Sequence, residues 1–397
     1  MKIRKISASY IFSANTGFLK NGILSLCEDN RVLKLTDTGG KLTEEANLEH
    51  YNGILCPGFV NAHCHLELSH MLGKIPRNQE LQGFIESVIP GRKADAEEIQ
   101  KAISKADKQM REEGIVAVGD ICNNPDSFAV KSSSRIHYHS FIEVLGTSEV
   151  SAERAFRNGQ NLVQLARQKF SLNASITPHS AYGLSESLFT LIREEKSSSD
   201  TMFSIHNQES GAENDLVSTA SGKLFDTLSK LGFDLSSKTP QHKNSLPWLM
   251  EQLPRDIRLL LVHNLYTSEM DIRNSEAENA DIYWVMCPKS NFYIGGRGPG
   301  NFLMRRNPDR ICIGTDSLAS NDKLSMLEEL YVLQNAHPEI PLKELLTWSS
   351  LNGAKALGVD KWFGSFEPGK KSGVLLIENA DIQNLRLKKE SRVKVLA

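Results

Sequence analysis

Two histidines flank a single residue in His63-Cys64-His65, at the end of an apolar run. Successive side chains on a β-strand point to opposite faces, so residues two apart share a face. Both imidazoles therefore converge while Cys64 points away. Two neutral imidazoles aimed at one point are a natural start for a site binding Zn²⁺ or Fe²⁺. Alone, such a pair is more often two ordinary polar residues at a strand end. Three further residues change the weighing: His206, His263 and Asp316 each close another short apolar run. Separate strand ends that each deliver a His or an Asp are hard to ascribe to chance. Glu209 follows shortly after His206, in HNQE. A carboxyl just beyond a metal ligand reaches the substrate instead of the metal. Hydrolytic deamination of a ring needs such a group, because the ring nitrogen must gain a proton as hydroxide attacks the adjacent carbon. The competing reading places Glu209 in the first turn of a helix, where the helix dipole favours a carboxylate.

The elements that must position these residues follow a regular alternation. Short apolar runs occur at Ile54–Val60, Ile115–Ile121, Ile136–Val144, Ala174–Thr177, Met202–His206, Leu259–His263, Tyr283–Met286 and Ile311–Thr315. Amphipathic stretches lie between most of them; in 96–113, Ile99, Ala102, Ile103, Ala106 and Met110 fall on one helical face. Eight such strands separated by helices predict a closed parallel (β/α)₈ barrel of the TIM type, which carries its active site at the C-terminal strand ends. An open doubly wound sheet would need fewer strands and usually a phosphate loop. The glycines Gly295, Gly296, Gly298 and Gly300 follow CPKSN and open no clear helix, so they make a poor phosphate cradle. Residues 211–257 read as an elaborated loop over the barrel mouth. Strand rhythm without helical period marks Lys2–Phe12, Gly22–Glu28 and Val32–Leu35, and returns at Val374–Ile377 and Arg392–Leu396. The expected α/β architecture is thus a catalytic barrel over 57–363 and one small β-sandwich domain built from 1–56 and 364–397.

The composition is that of a globular protein: 397 residues, 40% hydrophobic and 24% charged. A formal net charge of -2 argues against a surface designed for nucleic acid or an anionic membrane. The first residues alternate in polarity instead of forming an apolar signal core, so neither a signal peptide nor a membrane span is expected. The cysteines Cys27, Cys56, Cys64, Cys122, Cys287 and Cys312 are scattered and form no CxxC pair. They read as reduced thiols of a cytoplasmic protein.

A family resemblance rests on PGFVNAHCHLE (57–67), TPHSAYGLS (177–185), HNQES (206–210), VHN (262–264), CPKSN (287–291) and GTDSLASND (314–322). In this order, across most of the chain, these segments resemble the amidohydrolase superfamily. Within it, they resemble the branch of adenosine-type, S-adenosylhomocysteine/methylthioadenosine and aminodeoxyfutalosine deaminases and triazine chlorohydrolases. The closing GSFEPGKKSGVLLI resembles the return into the small β domain, with Gly373 where the family usually has an acidic residue.

The resemblance implies that His63, His65, His206 and Asp316 bind one divalent metal, Zn²⁺ before Fe²⁺. It implies that His263 hydrogen-bonds the metal-bound water, that Asp316 and His263 take up its proton, and that Glu209 carries a proton to the ring nitrogen. His179 would contact the substrate's sugar or polar tail. Glu67, Ser69 and Ser320 are further pocket positions, with His70 and Arg297 behind them; His50, His242 and His337 read as surface residues. Binuclear relatives bridge two metals with a carboxylated lysine on the fourth strand, and LNASITPH offers none. The expected enzyme is therefore a mononuclear hydrolase of C–N bonds. It would deaminate an adenine-type nucleoside such as aminodeoxyfutalosine, S-adenosylhomocysteine or methylthioadenosine and release ammonia. The alternatives are a guanine-type free-base deaminase, a triazine-type chlorohydrolase, or a barrel scaffold without activity, against which the complete ligand set with Glu209 argues. The expected partner is a small molecule, with neither nucleic acid nor membrane; a homodimer is expected by analogy with relatives.

Overall fold

The computed structural model describes residues 3–41, 47–194, 202–241, 243–279, 281–298 and 300–397. Lys2, where the first strand was expected to begin, and His242 lie outside the described residues. The chain opens with β1 (Arg4–Ser13), β2 (Gly17–Lys20), β3 (Ile23–Leu26), β4 (Val32–Thr36) and β5 (Leu48–Pro57). Four parallel strands follow, β6 (Phe59–Cys64), β7 (Ile115–Cys122), β8 (His137–Val144) and β9 (Asn173–Pro178), hydrogen-bonded in that order. A second parallel set is β10 (Met202–Asn207), β11 (Arg258–His263), β12 (Ile282–Met286) and β13 (Ile311–Ile313). The edges of the two sets touch at parallel bridges between Ser180 and His206 and between Cys64 and Asp316.

Helices separate the parallel strands and are amphipathic in the expected sense. In the helix Ala96–Glu112, Ile103, Ala106 and Met110 are buried, and Asp95 caps the start by accepting from the Glu97 amide at 2.8 Å. In the helix Ala152–Phe170 the buried residues Ala152, Phe156, Gly159, Val163 and Ala166 recur with helical period. The segment 211–257, expected as an elaborated loop with helical pieces, contains the helices Gly211–Thr219, Lys223–Lys230 and Ser245–Gln252. The glycine-rich run joins two helices, which corrects the expectation that it opens none: Gly296, in the left-handed conformation, ends Pro288–Gly295, and Gly300 is the N-cap of the short helix Asn301–Arg306.

The last strands are β14 (Val374–Glu378) and β15 (Arg392–Val395). They join the first five strands in one seven-stranded sheet of order β15-β14-β5-β1-β3-β4, with β2 paired to β1. A pair of separate facing sheets, as in the expected sandwich, is not shown by this strand order. β5 accepts β1 on one edge in parallel and β14 on the other in antiparallel register, so both termini meet edge to edge in a single sheet. Its core is Ile6, Ile11, Leu24, Leu55, Val374 and Leu376.

The expected strand Ile54–Val60 is also two strands. Its first half completes β5 and its second half begins β6, with the break at Pro57–Gly58. A Cβ on Gly58 would lie 2.3 Å from Val116 and 2.7 Å from the Ser372 carbonyl, so only glycine allows the chain to pass between the two sheets. The site histidines therefore close β6, which pairs with β7, and do not belong to the terminal sheet. No helix among the described residues is long and apolar enough to cross a membrane.

Candidate active site

β6 delivers His63, and His65 follows immediately after the strand, where the chain turns into the short helix Leu66–Met71. That turn is fixed from below: the Leu66 amide donates to Asp120 Oδ1 at 2.8 Å, and Lys131 Nζ holds Asp120 Oδ2 at 2.8 Å with neither side chain exposed. β10 delivers His206. The Nε2 atoms of His63 and His65 stand 3.2 Å apart, and those of His65 and His206 also 3.2 Å apart. Burial holds the His63 imidazole well below its ordinary range and His65 at about 4, so both are neutral at pH 7 with a lone pair to offer.

Asp316 completes the cluster. β13 ends at Ile313, and Gly314 lets the chain cross close beneath His63: a Cβ there would meet the His63 carbonyl at 2.8 Å. The amides of Thr315 and Asp316 then donate to that carbonyl at 3.0 and 3.1 Å. Asp316 itself is left-handed at φ 56°, a conformation costly for a non-glycine residue and often found where function requires it. Ser290 and Ser320 hydroxyls donate to its Oδ2 at 2.6 and 2.9 Å. Its Oδ1 is left facing His65 Nε2 at 3.5 Å and His63 Nε2 at 3.9 Å. Tetrahedral coordination at zinc-like bond lengths of about 2.0–2.1 Å separates ligand atoms by about 3.3 Å, so this donor set fits a divalent cation.

The proton-handling groups lie beside the cluster. His263 closes β11 with φ 76° and donates from Nδ1 to Asn291 Oδ1 at 2.8 Å. That bond leaves Nε2 as the lone-pair nitrogen, 3.8 Å from Glu209 Oε2. Glu209 precedes Ser210, the N-cap of the helix Gly211–Thr219, so it is not a first-turn helix residue. Glu213 occupies that turn instead. Its buried carboxyl accepts from the Gln208 and Glu209 amides at 3.0 and 3.1 Å, clamping the turn that presents Glu209.

A cavity of about 610 Å³ opens over these groups, bordered by His65, His206, Glu209, His263 and Asp316. His179 borders it too, with Nδ1 2.7 Å from Ser180 Oγ. Its far wall is apolar, with Leu81, Phe84, Val88, Leu162, Leu228 and Phe233. Three expected substrate contacts are not on its wall. The helix Leu66–Met71 turns Glu67 inward to Arg92 Nη1 at 3.0 Å and the Asn123 amide at 2.9 Å. Ser69 donates to the Leu66 carbonyl at 2.7 Å, and Ser320 is spent on Asp316. His70 is buried away from the cavity, and Arg297 lies exposed over the Tyr266 ring. Among the residues read as surface, His50 is exposed, whereas His337 is half-buried with Nδ1 3.8 Å from Glu339 Oε1.

Several residues at the site were missed in the sequence. Glu143 stands one residue before the end of β8 with Oε1 3.3 Å from His206 Nδ1, and a carboxylate near a strand end was the available signal. Burial alone would raise its carboxyl, but the His179 and His206 imidazoles hold it well below the usual range. Asn123, Arg92, Ser290 and Asn291 carried no local signal of their roles.

Parallel strands separated by helices, with imidazoles and an aspartate gathered at their ends, define a metal-centred hydrolase site on an α/β scaffold. Residues 54–391 match the amidohydrolase family, and the chain belongs to it. Among curated relatives, the adenosine deaminase of Helicobacter pylori is 26% identical over 91% of this chain and 90% of its own length. The aminodeoxyfutalosine deaminase of Nitratiruptor sp. is 25% identical over 84% of this chain and 81% of its own. The fold is that of the Helicobacter pylori aminofutalosine deaminase solved with methylthio-coformycin, with TM-score 0.78 at 23% identity over 94% of this chain and 92% of that one.

Proposed function

We propose that this chain is a metal-dependent aminohydrolase that removes ammonia from the six-membered ring of an adenine-type nucleoside. The observation that carries the reading is the meeting of the Glu209–His263 pair with the imidazole–aspartate cluster on one cavity wall. The names of the relatives, adenosine and aminodeoxyfutalosine deaminases, agree with it. When bound, the divalent cation supplies Lewis acidity that makes water a nucleophile near neutral pH. His63, His65, His206 and Asp316 Oδ1 would hold it. Zn²⁺ is the favoured ion: the ligands are mostly imidazoles, and an adenosine deaminase of similar fold from Xanthomonas campestris carries bound zinc.

His263 Nε2 accepts the proton released as water adds to the amino-bearing ring carbon. Glu209 gives its own proton to the adjacent ring nitrogen. His263 then gives its proton to the departing amine as the C–N bond breaks, and the new hydroxyl returns a proton to Glu209, leaving a ring carbonyl, an N–H on the adjacent ring nitrogen and free ammonia. A cavity of about 610 Å³ has space beyond a bare heterocycle, which favours a nucleoside over a free base.

The scaffold reading extends the same way. The bridges at Ser180–His206 and Cys64–Asp316 support closing the two parallel sets into one (β/α)₈ barrel over 57–363. The terminal strands support a small β domain from 1–56 and 364–397. The test is a screen for ammonia release over nucleosides, free bases and chlorinated triazines, with and without a chelator. Chelator-sensitive release from adenine nucleosides is expected. Release from bases alone, or none from any compound by metal-loaded protein, would overturn the reading.

A further inference from the structure

Glu143 is a buried carboxylate with one oxygen that no well-formed hydrogen bond satisfies. Its Oε2 accepts from Asn123 Nδ2 at 2.9 Å. Its Oε1 has no hydrogen-bond partner, although His206 Nδ1 lies only 3.3 Å away. The imidazole has one N–H on that side, and it faces both the His179 carbonyl at 3.2 Å and Glu143 Oε1 at 3.3 Å, so it cannot fully satisfy either. Glu143 and Asn123 both border the cavity. A charged oxygen withdrawn from water without a donor is costly, and the cost is removed when a ligand brings one.

The donor's chemistry follows from where Glu143 stands. The His206 ring stacks on His263 at 5.6 Å between centroids, next to Glu209. The same ring meets His179 at 4.9 Å, next to Glu143. A ring protonated by Glu209 at one end must extend its other end elsewhere in the cavity. On an adenine nucleoside that other end carries the sugar, whose neighbouring hydroxyls are neutral donors matched to a carboxylate. A cationic donor is disfavoured, because Arg92 already borders the same cavity.

We infer that Glu143 accepts hydrogen bonds from the vicinal hydroxyls of the substrate's ribose and so selects ribonucleosides over deoxynucleosides. This rests on the nucleoside reading above. His179, expected from family resemblance to touch the sugar, becomes Glu143's neighbour in that contact.

The experiment compares kcat/KM for adenosine and 5′-methylthioadenosine with 2′-deoxyadenosine and 3′-deoxyadenosine, in wild type and Glu143→Gln. Gln keeps the size but can turn an amide N–H₂ where the carboxylate oxygen was. Wild type is expected to prefer the ribonucleosides by about 10–10²-fold, the range of a charged hydrogen bond. Glu143→Gln should erase that preference by losing rate on the ribonucleosides alone, with metal content unchanged. An equal loss on all substrates, or a loss of metal, would mean that Glu143 acts through His206 and would overturn the inference. A wild type that deaminates all of them without preference overturns it too, on unaltered protein, while leaving the deaminase reading intact. A wild type that deaminates none removes both readings together.

Discussion

His263 Nδ1 stands 2.8 Å from the side-chain oxygen of Asn291, and this single contact decides which nitrogen of His263 carries hydrogen. An imidazole that donates from Nδ1 keeps its lone pair on Nε2, the atom facing Glu209. Asn291→Ala removes the acceptor and frees the other tautomer. Turnover should fall about 10–100-fold, as for groups that orient metal-site histidines, while metal content stays at the wild-type level. An alanine variant with wild-type kcat would show that the tautomer is set some other way.

Glu209→Gln keeps shape but removes the titratable proton. Ammonia release should fall by about 10²-fold or more, the usual range for a general acid–base group, with ground-state affinity little changed. Because chloride departs without a proton, a chlorinated heterocycle would lose much less rate. Metal-loaded Glu209→Gln with wild-type deamination would remove the role assigned to this residue.

Lys131 is fully buried and touches Asp120, Cys122 and Ser140 at 2.8, 2.9 and 2.8 Å. Lys131→Met leaves the Asp120 carboxylate buried and unpaired, which should cost about 3–5 kcal/mol in denaturant unfolding. Pairing it with Asp120→Asn should recover most of that loss, since the amide oxygen can still accept from Leu66. A double variant as unstable as the single one would mean that the lysine's packing matters more than its charge.

Glu329 is buried against the Lys289 amide and Asn321, and burial pushes its carboxyl up to about 8. The native state therefore holds a proton that the unfolded chain gives up near the ordinary glutamate range, about 4.3. Its contribution to stability is complete below that range and is lost as pH rises through about 8. Glu329→Gln, which cannot titrate, should flatten the fall of Tm between about pH 4.3 and about pH 8, the window between those two values. Parallel Tm curves for the two proteins would refute the shift.

The parts of the site legible in the sequence were those encoded by spacing along one strand or its end: His63 with His65, and the closing residues His206, His263 and Asp316. Glu143 obeys the same rule and was overlooked because a single carboxylate near a strand end lacked a neighbour to draw attention. Asn291 and the Ser290–Ser320 pair could not be seen, since their roles depend on which atom of a distant residue they meet. Glu67 was misread because proximity to His65 along the chain says nothing about the turn at Leu66 that points it at Arg92. The same limit applies to the fold. Ile54 to Val60 is apolar on both sides of Pro57–Gly58, so the periodicity runs straight through a dipeptide that is itself the mark of the break, and the terminal strands cannot announce whether they face or adjoin one another.

The two places where the parallel sheets touch, Ser180–His206 and Cys64–Asp316, each include a member of the proposed ligand set. A cation gripped by His206 and Asp316 would thus be a rivet through both seams. Prying either seam apart would mean pulling a ligand off the ion, so ion affinity and seam strength are one thermodynamic quantity seen from two sides. Stripping the cation should then unzip the protein from its active end. Amide exchange would quicken first at His206 and Thr315, whose N–H groups cross the seams, and last in the terminal sheet.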